Sequence, residues 1–483
     1  MTLRDRFAEA DRALLSRLSV PEQRAVGVAM RQLGRAADHS VLWIAVAAGL
    51  GATRHRWARR AALRGLAAVA ISSPAANVIA KQLVGRNRPE TPAASLRRPA
   101  KALRTTSFPS GHAASAAAFA TGVALEMPAL AAPVGVAAAA VGASRLITGV
   151  HYPSDVAAGF AVGTVAGLLT LRWWPRRPAA PAAAARPRRE APASPDGAGL
   201  VLVVNCSAGT ASADLAESLG KSLPAAEIVV ASADEDLDRV FVEAAARAAI
   251  LGVAGGDGSV RLAAGIASDA GMPLLVVPAG TFNHFAADLG IESANDALAA
   301  LASGDSVLVD VAAAGGEAYL NTASTGVYVD LVSAREEIEP ALGKWPAMMV
   351  ALIRVLRSSR PVDLLIDGRR RRVWLLFAGN CRYEPSGAAP TYRPDLADGT
   401  LDVRLIDGSQ PLARTRLTTA VLLGTLGRCR VYQTWSARSL RITSASGGPV
   451  PLSLDGETTQ QRSSISLVKR PKQLLVYRPS SDG

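Results

Sequence analysis

The chain has 483 residues, room for two or three domains that each bury a core. Its 53 Lys and Arg against 40 Asp and Glu give a net charge of +13, which suits anionic lipid as well as nucleic acid. Aromatic residues are only 5 %, which argues against base stacking and leaves lipid as the expected partner, with no nucleic acid.

The first residues, MTLRDRFAEADRALL, lack the apolar core of a secretory leader, so membrane attachment is expected from internal segments. Over 3–35, Leu3, Phe7, Leu14, Leu15 and Leu18 alternate with Arg and Asp as in an amphipathic helix at an interface. Apolar runs rich in Ala, Val, Leu and Gly then recur near 38–53, 61–80, 111–127, 128–144 and 155–171. Each is close to the length that crosses a bilayer, and their small residues allow close helix packing. Residues 1–172 are therefore expected to be an all-α transmembrane bundle of about five spans, with a soluble Ala-rich bundle as the alternative.

Residues 173–199 are rich in Pro, Ala and Arg and read as a linker that buries no core. Trp173 and Trp174 with the following arginines suit a cytoplasmic membrane surface. From 200 to 306, apolar strand-type runs alternate with helical patterns, the grammar of an α/β nucleotide-binding lobe. From 307 to 483 short β-type runs dominate, predicting a mainly β second lobe. Cys206, Cys381 and Cys429 are widely spaced, as reduced thiols in a cytoplasmic domain would be.

Three motifs lie at the ends of the apolar runs: Lys81 with Arg88-Pro89, Pro109-Ser110-Gly111-His112, and Ser144-Arg145 with His151 and Asp155. Lys81, Arg88 and Arg145 would surround a phosphate with positive charge, and the Ser110 hydroxyl and Gly111 amide would add donors. His151 suits attack on phosphorus if Asp155 holds its other nitrogen, and His112 suits protonation of the leaving oxygen. The cations already neutralise the phosphate oxygens, so no metal is expected in this half. Together the motifs resemble the signature of the type-2 phosphatidic acid phosphatase superfamily. The resemblance implies a phosphohistidine nucleophile at His151, oriented by Asp155, with His112 as general acid and phosphate held by Lys81, Arg88, Ser110, Gly111 and Arg145.

The loop TRHRWARR after the first run is densely basic and favours the cytoplasm. Counting runs from there places all three motifs on the external face and delivers the chain to the cytoplasm after the fifth.

In the second half Gly255-Gly256-Asp257-Gly258-Ser259 follows a strand and opens a helix, a site where backbone amides meet nucleotide phosphates. VVPAGTFNHFAADLG, the Asn321 to Gly326 element, Asp398-Gly399-Thr400 and Asp455-Gly456-Glu457 follow. The set resembles the diacylglycerol kinase catalytic domain over nearly all of 200–478. That resemblance implies ATP and Mg2+, with Asn205, Gly255, Gly256, Asp257, Gly258, Ser259, Gly280 and Thr281 at the nucleotide. It also implies Asp455 as general base, Glu457 as its support, and Asp398 in a metal loop; a plain hairpin turn is the other reading of Asp398. Cys206 stands where that family usually has Pro, Ser259 where it has Thr, and His284 where it has Asp.

The expected protein is thus a bifunctional lipid phosphoryl-transfer enzyme of a bacterial-type cell membrane. An external phosphatase acts on phosphatidate or an isoprenoid pyrophosphate, and a cytoplasmic kinase acts on a diacylglycerol-like hydroxyl. The competing readings are a haloperoxidase-like N-terminal half, a kinase for a non-lipid acceptor such as NAD, and a membrane scaffold or sensor with only one active domain.

Overall fold

The computed structural model describes residues 3–18, 25–53, 55–80, 85–89, 106–178, 180–206, 213–232, 234–281, 283–342, 347, 350, 351, 354, 355, 359–385, 391–459 and 462–480. The chain divides into two units, Met1–Arg176 and Arg177–Gly483.

The first unit is helical: α1 (Leu3–Leu18), α2 (Ala25–Ala36), α3 (Val41–Ala52), α4 (Arg56–Pro74, continued by a π turn over Ala75–Ala80), α5 (Gly111–Glu126), α6 (Ala131–Ile147) and α7 (Pro153–Trp173). Helix α5 is central, packed along both α4 and α7. Most of its residues are small, so neighbouring backbones come close. At Gly163 of α7, an added Cβ would lie 2.2 Å from the Ala114 carbonyl oxygen. Trp43 and Phe119 close the core with ring centroids 5.2 Å apart.

Of the five apolar runs, two lie in helical stretches long and apolar enough to cross a bilayer, Pro128–Ile147 and Pro153–Trp173; Asp38–Ala52 is apolar but shorter. Helix α4 carries Arg56, Arg59, Arg60 and Arg64. Arg64 is fully buried because Glu126 meets its charge: Nε donates to Oε1 at 2.6 Å and Nη1 to Thr170 Oγ1 at 2.9 Å. Arg60 donates to the other Glu126 oxygen at 2.9 Å, and the Trp174 ring lies against both guanidinium groups. This ionic knot ties α4 to the C-terminal ends of α5 and α7. In the N-terminal region the described residues form two helices, and α1 is docked: Leu15 is buried, and Asp11 accepts from the Ser154 amide at 3.0 Å.

The second unit opens with β1 (Leu200–Asn205), α8 (Ala213–Ser222), β2 (Glu227–Ala231), α9 (Leu237–Ala245), β3 (Ile250–Gly255), α10 (Asp257–Ala270) and β4 (Leu274–Pro278). The strands lie parallel in the order β2-β1-β3-β4, with Val253 opposite Val203 on one side and Val276 on the other. Strands β1, β3 and β4 are buried on both faces, which is why they are mostly Val, Leu and Ile, whereas β2 at the edge is partly exposed. Helices α11 (His284–Leu289) and α12 (Ala294–Ser303) follow.

The second lobe contains β5 (Ser306–Ala314), β6 (Glu317–Tyr319), β7 (Thr322–Gly326), α13 (Val327–Leu342), β8 (Val362–Ile366), β9 (Arg369–Asn380), β10 (Leu401–Asp407), α14 (Ala413–Leu422), β11 (Tyr432–Ala437), β12 (Ser439–Ser444), β13 (Ser453–Leu454), β14 (Glu457–Thr458) and β15 (Ser464–Tyr477). Apart from the β15–β4 contact it is antiparallel, and it has a core of its own. Strand β15 joins the lobes: Leu467–Arg470 pair with the end of β5, Leu474–Tyr477 with its start, and Val476 lies parallel to Leu274 of β4.

The stretch expected as a coreless linker is partly integral to this unit. Ala182 and Ala191 are buried, and Ala185 exchanges backbone hydrogen bonds with Leu308 of β5. Alanines in extended chain fit against the sheet where longer side chains would not, so low hydrophobic bulk did not prevent burial here.

Candidate active sites

In the helical unit the site forms where α5 and α7 begin. Ser110 is the N-cap of α5, fully buried, and its amide donates to the Asp155 carbonyl at 2.9 Å. Gly111 lies against Asn77, since a Cβ there would come within 2.5 Å of Asn77 Oδ1. Asp155 is the N3 residue of α7. Its Oδ2 accepts from the Tyr152 amide at 2.9 Å and its Oδ1 from Arg86 Nη1 at 3.0 Å, as a carboxylate in a first helical turn does. His151, one helical turn earlier, is buried with Nδ1 3.6 Å from Asp155 Oδ2. Burial lowers the His151 pKa below its ordinary value; Asp155 opposes that shift and the Arg88 and Arg145 cations reinforce it.

His112 is placed by the first turn of α5, Arg145 by the last turn of α6, and Arg88 by the loop before α5. Arg88 Nη1 donates to the Val150 carbonyl at 3.3 Å, beside His151. His112, His151, Arg88 and Arg145 are thus brought together with Ser110, Gly111 and Asp155; Lys81 lies outside the described residues.

Five residues around the site were not singled out from sequence: Asp38, Arg86, Asp11, Ser154 and Tyr152. Asp38 Oδ1 is 2.8 Å from His112 Nε2. Arg86 donates to Asp155, to Ser154 Oγ at 2.7 Å and to Asp11 Oδ2 at 2.7 Å, and it stacks on Tyr152. The only sequence signal for Arg86 was its place two residues before Arg88.

In the second unit the glycine loop connects β3 to α10. Gly256 caps α10 with extended backbone, and Asp257 to Ser259 form its first turn. Asn205, at the end of β1, donates to Ser259 Oγ at 2.9 Å, so the Ser replacement keeps the hydroxyl in use. The second loop comes very close: a Cβ on Gly280 would fall 2.4 Å from Gly256 Cα. Asn283 holds that loop, accepting from the Gly280 amide and donating to its carbonyl, each at 2.9 Å. Thr281 is exposed beside it.

Asp455 has a left-handed backbone (φ 51°) in the turn between β13 and β14. Its carboxylate accepts from the amides of Leu320, Asn321 and Thr322 at 2.9, 2.8 and 2.7 Å. Burial pushes its pKa up to about 6; the three amides pull it back and Asp257 adds repulsion. Glu457 lies over the glycine loop, where a Cβ on Gly258 would come within 2.0 Å of Glu457 Oε1, and Arg261 faces its other oxygen at 3.4 Å. The glycine loop and both late carboxylates therefore share one site. Beneath it Arg393, fully buried, donates to Asp288 at 2.8 Å, to Asn321 Oδ1 at 3.0 Å and to the Leu320 carbonyl, bracing the turn that grips Asp455.

Asp398 does not fit the metal role. It closes a turn by accepting from the Thr400 amide at 2.8 Å, with Gly399 at φ 75°. Asp310, Cys381 and Asp398 do cluster, but the buried Lys469 ammonium already supplies the cation. Its Nζ is 3.1 Å from Asp310 Oδ2, 3.0 Å from Cys381 Sγ and 2.7 Å from Asn380 Oδ1.

One unit pairs an imidazole with a carboxylate among arginines, and the other aims a glycine loop at a buried carboxylate. The class is a double phosphoryl-transfer protein. Residues 62–179 match the PAP2 superfamily and residues 199–314 the diacylglycerol kinase catalytic domain. Decaprenylphosphoryl-5-phosphoribose phosphatase of Mycobacterium tuberculosis is 38% identical over 141 residues, 29% of this chain and 75% of that protein. A Pseudomonas aeruginosa protein named "Probable lipid kinase YegS-like" is 30% identical over 259 residues, 51% of this chain and 82% of that one. A diacylglycerol kinase structure from Bacillus anthracis aligns with 58% of this chain and 97% of its own, at 18% identity and a TM-score of 0.42. The chain belongs to the PAP2 superfamily through its first unit and to the diacylglycerol kinase catalytic family through its second, and so carries a phosphatase domain and a lipid kinase domain.

Proposed function

We propose that the first unit hydrolyses a lipid phosphate or pyrophosphate through a phosphohistidine without a metal, and that the second phosphorylates a diacylglycerol-like hydroxyl from ATP. The observation that carries the phosphatase reading is His151 facing Asp155 at 3.6 Å, with Arg88 and Arg145 around it. Because Nδ1 is turned to Asp155, Nε2 is the atom left to attack phosphorus. The neutral imidazole favoured by burial is the nucleophilic form, and Asp155 stabilises the cation as the N–P bond forms. As the ester or anhydride bond breaks, the leaving oxygen takes a proton from His112, whose ring Asp38 Oδ1 positions from 2.8 Å. Water then displaces the phosphoryl group from His151, losing its proton to His112. Lys81, Arg88, Arg145, Ser110 and Gly111 hold the phosphate oxygens.

For the kinase, the close approach of Gly256 and Gly280 leaves bare backbone where phosphates would bind, at the positive end of α10. Asp455 takes the proton of the lipid hydroxyl as its oxygen attacks the γ-phosphorus and the bond from that phosphorus to the bridging oxygen breaks, releasing ADP; the fixed amides of 320–322 hold the carboxylate in place. Mg2+ bound with ATP would neutralise charge on the transferring group, with Asp257 of the loop and Glu457 over it the nearby carboxylates.

We also place the first unit across a bilayer as a bundle of about five helices, phosphatase site outside and kinase inside. The basic residues Arg56, Arg59, Arg60 and Arg172 lie at the end of the bundle opposite His112 and Asp155, and positive charge favours the cytoplasmic side. The two assays are run on one preparation over a panel of phosphatidate, isoprenoid pyrophosphate and diacylglycerol. His151→Ala is expected to abolish phosphate release and spare ATP-dependent phosphorylation, and Asp455→Ala to do the reverse. If either activity survives the loss of its assigned residue, that assignment is wrong.

A further inference from the structure

We propose that α14 and the turn after it form a docking surface for an anionic lipid bilayer, separate from both catalytic sites. Between Gly408 and Leu454 the sequence holds no Asp or Glu, while Arg414, Arg416, Arg428, Arg430, Arg438 and Arg441 fall inside it. Arg416, Arg428 and Arg430 are exposed, and among the described residues none of them pairs with a carboxylate. They rim a shallow hollow of about 540 Å³ between α14 and the 425–430 turn, floored by Ala420 and Thr419. Leu412 stands at its mouth, 73% exposed, and Leu423 is 58% exposed at the far end of the helix.

Leu412 is the sharper clue. Its backbone is left-handed (φ 54°, ψ 31°), a conformation that disfavours leucine, and the side chain gains little burial within the unit. A residue costly on both counts belongs to a contact outside the fold. Exposed leucines among unpaired arginines match one surface in particular. Apolar groups enter the acyl boundary while guanidinium groups pair with lipid phosphates, each contributing about fivefold in partitioning. Arg414 anchors the patch, since Nη2 donates to the Ser359 carbonyl at 2.5 Å and its guanidinium lies 4.7 Å from the Trp374 ring centroid. The inference does not depend on which hydroxyl the kinase phosphorylates.

The test uses the full chain, one copy per lipid disc, in phosphatidylcholine alone or mixed with phosphatidylglycerol. Amide hydrogen exchange is followed over 411–430. Slower exchange in the anionic discs, reversed by high salt, is expected. It should be lost in the Arg416→Gln, Arg428→Gln, Arg430→Gln triple variant, where partitioning drops roughly a hundredfold. Leu412→Gly, which suits the backbone and removes the apolar group, should weaken it with α10 exchange unchanged. Equal exchange in both kinds of disc, or protection that survives the triple variant, overturns the proposal. Phosphorylation of diacylglycerol on the same discs is read separately. Protection without turnover upholds the surface and counts against the kinase reading, whereas turnover without protection refutes the surface alone.

Discussion

Replacing Gly280 by Ala tests whether two touching loops set the nucleotide site. The added Cβ would fall 2.4 Å from Gly256 Cα, whereas carbon atoms settle at about 3.5–4.0 Å. Something must therefore move by roughly 1 Å. The nearest obstacle is backbone, so side-chain rotation alone does not relieve it. The new Cβ would also lie 2.8 Å from Asn283 Oδ1, so the displacement is shared between the 255–259 loop and the Asn283 contact that holds Gly280. A misplacement of that size costs about a hundredfold in rate, and overpacking costs about 1–3 kcal/mol of stability. The assay is kcat/KM for ATP on a lipid acceptor, with phosphate release by the other unit as the control for an intact preparation. A folded Gly280→Ala protein with unchanged kcat/KM would refute the reasoning, because the phosphate loop would then not depend on the bare contact.

Asp455 must be ionised to accept a proton, and its pKa is pushed up to about 6. Kinase kcat/KM should therefore fall about tenfold per unit as pH drops below that value and level off above it; a flat profile there would remove Asp455 as the base. Asp38→Asn takes away the anion 2.8 Å from His112 Nε2 and should slow phosphate release by about 10–100-fold with less change in KM, and a wild-type rate would show that Asp38 is idle. Lys469→Met leaves the buried Asp310 without its cation and should destabilise the kinase unit by about 3–5 kcal/mol in denaturant titration; an unchanged midpoint would mean that the pair contributes nothing.

The grouping of the candidate phosphatase residues, Lys81 aside, was legible because the proposed chemistry restricts residue type and spacing together. An imidazole and carboxylate four residues apart at a helix start can face each other only one way, and His151 and Asp155 do. The residues that tune them were not legible. Asp38 and Asp11 reach the site from helices far away in sequence, and any carboxylate at the right point in space would serve. The linker reading failed for a related reason. A chain of Ala and Pro has no hydrophobic bulk to announce burial, yet an alanine strand fits closely beside β5. Helices α13 and α14 were also missed, because the short β-type runs around them set the expectation for the whole lobe.

Asp398 shows where residue type alone misleads. An Asp-Gly-Thr turn beside other acids is compatible with a metal loop and with an ordinary turn, since both need backbone amides near a carboxylate. What separates them is the origin of the neutralising cation. Strand β15 pairs with β5 in a register that opposes Lys469 to Ala312, two residues from Asp310, and so brings a side-chain ammonium to the acids. That pairing spans a long sequence separation and leaves no local mark in either strand. Once the ammonium is 3.1 Å from Asp310 and 3.0 Å from Cys381, a divalent ion at the same point would meet its repulsion at close range. The lobe is held by a charge carried on its own chain, and its stability should not respond to chelators.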